Sequence, residues 1–136
     1  MGKIRAEGKK LIFERKDELT VIEPYGENCL RCRSTKNGKI LDENWTVLPA
    51  APDCCVIEGD AEKMKISNGL ISAVVEAGNP WYGGIITYYK RENDKEEKQI
   101  LRTKFEGDYT NRNRHVEGDH YQIQVIFEAN EGEHFY

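Results

Sequence analysis

No long hydrophobic run occurs in this chain, and no apolar stretch approaches the length of a membrane-spanning helix. The opening MGKIRAEGKK is charged and has no apolar segment behind it, so no secretory leader is expected and a cytoplasmic setting is the default. In that setting the four cysteines are expected to stay reduced. No basic cluster forms either. The 20 basic and 24 acidic residues are interspersed, which argues against nucleic acid as the main partner. No window shows helical spacing of apolar residues. Walker, Gly-x-Gly-x-x-Gly and Gly-x-Ser-x-Gly patterns are also absent, which removes the usual phosphate-binding loops and the nucleophile elbow.

What is present is alternation. Leu11, Phe13, Leu19 and Val21 repeat at a period of two around Arg15-Lys16-Asp17, predicting a hairpin over residues 10–23. Pro24-Tyr25-Gly26-Glu27-Asn28 breaks the chain before a strand over residues 28–35. Asn37-Gly38 and Asn68-Gly69 carry two-residue hairpin signals. Residues 41–53 lapse into a loop pinned by Trp45, Val47 and Leu48, with a turn near Trp45. Further strands are expected at 54–58, 64–67, 70–77, 85–89, 99–105 and 120–128. The mixed-sign run from Lys90 to Lys98 reads as a solvated loop or strand margin. These elements predict a single all-β domain over residues 1–136, an antiparallel β-sandwich of about nine to ten strands with little helix.

Few constellations carry chemistry. Cys29-Leu30-Arg31-Cys32 matches C-x-x-C, and Cys54-Cys55 with His115, His120 and His134 would complete a zinc set. Three residues apart on an extended strand, Cys29 and Cys32 point to opposite faces, as do the adjacent Cys54 and Cys55. The reading adopted is four buried structural cysteines, with no metal and no cofactor. Acidic residues such as Glu58, Asp60, Asp108, Glu117 and Asp119 fall at turns, where solvated charge is the ordinary role. No catalytic pair is assigned among them. The better lead is Trp81-Tyr82, in a loop flanked by Pro80 and Gly83-Gly84. Their rings would stack on the apolar face of a sugar while their polar tips reach hydroxyls. The competing reading makes Trp81 a plug over the end of the sandwich.

Four stretches taken together resemble glycoside hydrolase family 31. Residues 22–33 (IEPYGENCLRCR) are similar to its "IEPWGxxSLRVR" segment, with Cys29 and Cys32 where Ser and Val are usual. Asn44-Trp45-Thr46-Val47-Leu48-Pro49 resembles its "W-x-L-L-P" piece. Residues 66–73 and then 84–89 resemble its central hairpin and next strand, and Phe127-Glu128 with residues 131–136 resembles its "F-E … G-E-x-F-Y-G-L-G" passage. The order matches from about residue 10 to the end.

The resemblance implies a galactose-mutarotase-like sandwich, at the N-terminal side of a (β/α)₈ barrel that supplies the two catalytic aspartates of a retaining α-glucosidase or α-xylosidase. The family's Trp-x-Asp-Met-Asn-Glu stretch does not occur here, so no catalytic residue carries over. The expected partners are the barrel of the same parent chain and, through it, an α-linked oligosaccharide. An apolar face made for the barrel would also offer a route to homo-oligomers. An autonomous carbohydrate-binding module using Trp81 and Tyr82 is the alternative, and the ending Phe135-Tyr136 reads as a cut within something longer.

Overall fold

Among the described residues eleven strands form and no helix occurs. The computed structural model describes residues 2–15, 18–43, 54–78, 84–103, 112–115 and 121–134, with 112–115 and 121–124 described by their backbone alone. A first antiparallel sheet joins β1 (Lys3–Glu7), β2 (Lys10–Arg15), β3 (Glu18–Pro24) and β4 (Leu30–Thr35) in chain order. A second joins β5 (Cys55–Gly59), β6 (Lys63–Asn68), β7 (Ile71–Glu76), β8 (Ile85–Asn93) and β9 (Glu96–Arg102), again in order. A separate pair consists of β10 (Arg112–His115) and β11 (Tyr121–Gln124).

Register decides which residues meet. Leu11 lies opposite Ile22, and Phe13 opposite Thr20, so one face of the first sheet presents Ile4, Leu11, Phe13 and Ile22. In the second sheet Ile66 pairs with Ala73 and Met64 with Val75, and these residues close the core with Ala77. Strand β6 faces β1 to β3, and β7 faces β4. The result is the β-sandwich that the alternation predicts. Leu11, Phe13, Ile22, Ile66 and Val75 are fully buried, each contributing about 1.5–3 kcal/mol by removal from water.

Several local expectations need correction. Strand β1 was not expected, because only Ile4 and Ala6 alternate among charges; it forms as a sheet edge, where charged side chains are tolerated. The charged run at Lys90–Lys98 takes the strand-margin form of its two readings: it is an exposed β-ribbon, the end of β8 and the start of β9, with the turn at Asp94-Lys95. Its ladder continues from the half-buried Tyr88 and Tyr89 and so needs no burial of its own. Asn37-Gly38 makes no hairpin among the described residues. Strand β4 stops at Thr35, whose Oγ1 accepts the Asn37 amide at 3.1 Å. The expected strand at 120–128 is shorter in the structure, with β11 followed by a lone bridge between Phe127 and Thr103. Strand β10 had no sequence signal. The segment around Trp45 lies outside the described residues.

The Asn68-Gly69 signal is right in kind and off by one. Asn68 still pairs with Ile71, so the two-residue turn is Gly69-Leu70. Gly69 has φ +62°, the left-handed value that a type II′ hairpin requires at its first turn position.

Candidate functional site

Trp81 and Tyr82 lie outside the described residues, but the stem that carries their segment is described. Glu76 pairs with Ile85, and the Ala77 amide donates to the Glu62 carbonyl at 2.9 Å. Gly84 closes the stem. A Cβ there would run into the Phe13 ring and would sit 2.6 Å from the Glu76 carbonyl oxygen. Strand β7 therefore ends and β8 begins at the end of the sandwich where Phe13 of the first sheet packs beneath the second.

The same end holds a polar cluster on the inward face of the first sheet. Arg15 donates to Glu18 Oε1 at 2.6 Å, Ser34 Oγ donates to the same oxygen at 2.8 Å, and Thr20 and Ser34 share a hydrogen bond of 2.9 Å. The Glu18 side chain is only 9% exposed. Its role follows from these contacts: it ties β2, β3 and β4 together. On the outward face Glu23, also buried, receives Arg31 at 2.8 Å and Arg33 at 2.5 Å, with Lys10 at 3.8 Å. Burial alone would raise its carboxyl, but the two guanidinium groups overcome this and hold it below the usual range. Arg31 also lies 4.0 Å from the centre of the Tyr25 ring.

Retaining glycoside hydrolysis needs two carboxyl groups about 5–5.5 Å apart across a pocket. Glu18 and Glu23 are five residues apart on one strand, which sends them to opposite faces of the sheet. They cannot form that pair. Glu58 is exposed, and exposed Asp60 accepts the Glu62 and Lys63 amides at 2.9 and 3.0 Å in a turn that holds its carboxyl below its ordinary value. Asp108, Glu117, Asp119 and His120 lie outside the described residues.

The cysteines depart from the buried reading. Cys29, Cys32 and Cys54 are exposed and Cys55 is half-buried, all of them free thiols. Cys29 is in step with outward Arg31 and Arg33, and Cys54 with exposed Val56 and Glu58, so alternation itself turns both thiols away from the core. Cys32 is open to solvent by area yet crowded by neighbours, as suits the wall of a groove; area governs reagent access and crowding governs its acidity. Burial pushes the thiol up, partly offset by a hydrogen bond with Tyr88, whose own hydroxyl is raised by burial. A thiol raised in this way stays protonated at neutral pH and is a poor nucleophile. No three His, Cys, Asp or Glu side chains converge on a metal position among the described residues.

The groove itself was not anticipated. It runs beside β4, encloses about 690 Å³, and is lined by Cys32, Ser34, Ile40, Leu41 and Val125 among others. Leu41 is 63% exposed and Val125 49%. Segments some ninety positions apart build it, so no local sequence signal marks it.

No family model matches the chain, and no curated protein does. Among solved structures, a GH31 α-xylosidase from a soil metagenome, complexed with xylose, matches with a TM-score of 0.62 and 29% identity. The match covers 74% of this chain, which spans 14% of the length of that one. With that likeness and its two antiparallel sheets, this chain is a β-sandwich domain related to glycoside hydrolase family 31.

Proposed function

We propose that this sandwich is the non-catalytic N-terminal domain of a cytoplasmic retaining α-glycosidase, an α-glucosidase or α-xylosidase. It buttresses the catalytic barrel of the same parent chain and lends the Trp81-Tyr82 loop to the rim of the pocket that receives an α-linked oligosaccharide. The observation that carries the reading is the match of most of this chain to a small part of a family 31 α-xylosidase. The engagement of Glu18 and Glu23 by arginines supports it, since both buried carboxyls hold strands together.

The test has two arms. Purified chain is incubated with p-nitrophenyl α-xyloside and α-glucoside, and no hydrolysis is expected; turnover would overturn the non-catalytic role. The chain is then mixed with a separately produced family 31 barrel. A raised thermal midpoint of the barrel is expected, and the absence of any interaction counts against the buttress.

A further inference from the structure

We draw no further inference here: the strongest candidate, the apolar groove beside β4 lined by Cys32, Ser34, Leu41 and Val125, carries nothing because nothing in the structure shows what covers it.

Discussion

Asn28 and Asn68 lock a turn of one sheet to a hairpin of the other by reciprocal side-chain hydrogen bonds. Asn68 Nδ2 donates to the Gly26 and Cys29 carbonyls, both at 2.7 Å, and its Oδ1 accepts the Cys54 amide at 3.2 Å. In return Asn28 Oδ1 accepts the Leu70 amide at 2.7 Å. Asn28 holds φ +53°, a left-handed value that asparagine tolerates better than most residues. The clasp joins the Pro24-to-Leu30 connection to the tip of the β6–β7 hairpin, at the end of the sandwich opposite Glu76 and Gly84.

Removing the Asn68 amide should be costly, because the side chain is 1% exposed and its partners are backbone groups. Asn68→Ala is expected to lower stability by about 2–4 kcal/mol, combining lost hydrogen bonds with stranded carbonyls. Asn68→Asp should recover little, since a carboxylate cannot donate to Gly26 and Cys29. Urea unfolding midpoints check both, and an alanine variant within 0.5 kcal/mol of the parent (roughly the scatter of an ordinary surface substitution) would show that the clasp is ornamental.

Gly84→Ala tests the stem of the Trp81-Tyr82 segment. The added methyl meets the Phe13 ring on one side and the fixed Glu76 carbonyl on the other, so overpacking of about 1–3 kcal/mol is expected. In a double-mutant cycle with Phe13→Leu the two effects should fail to add. Additive effects in denaturant melts would mean that the ring does not set the constraint.

Glu23 predicts the acid limb of stability. Its folded carboxyl lies below the unfolded value of 4.5, so its contribution is fully present above that pH and fades as pH falls through the lower folded value. Glu23→Gln should therefore be destabilised at pH 7 and should show a flatter decline below pH 4.5 than the parent. Thermal midpoints measured from pH 7 down to about pH 2 separate the curves. Parallel curves would remove Glu23 from the acid transition.

Thiol chemistry offers a check on the cysteine assignments. Exposed Cys29 and Cys54 should alkylate with iodoacetamide well before Cys32, whose thiol is pushed up by burial and bonded to Tyr88. Peptide mass spectrometry of timed samples reads the order. Tyr88→Phe removes one hydrogen-bonding partner of that thiol and should change the Cys32 rate while leaving Cys29 and Cys54 unaltered.

How far the sequence could be read depended on the range of the forces involved. The β2–β3 hairpin was legible because Leu11, Phe13, Leu19 and Val21 alternate around a short polar turn. The β8–β9 ribbon was legible only as one of two alternatives, loop or strand margin, since Lys90 to Lys98 has no apolar period and its strands are held by backbone bonds that leave no trace in side-chain pattern. Asn68 looked like a turn residue. Its buried clasp depends on carbonyls some forty positions earlier in the chain, which no local window contains.

By itself, then, the sequence determined the all-β class, the principal hairpins and the likeness to family 31, because turn residues and period-two burial act between near neighbours. Only the tertiary structure decided that Glu18 and Glu23 are both engaged by arginines on opposite faces of β3, that three cysteines lie at the surface, and that Gly84 packs against Phe13 of the facing sheet. Each of these depends on one sheet meeting the other, or on register between strands, and both are set by the packing of the whole core.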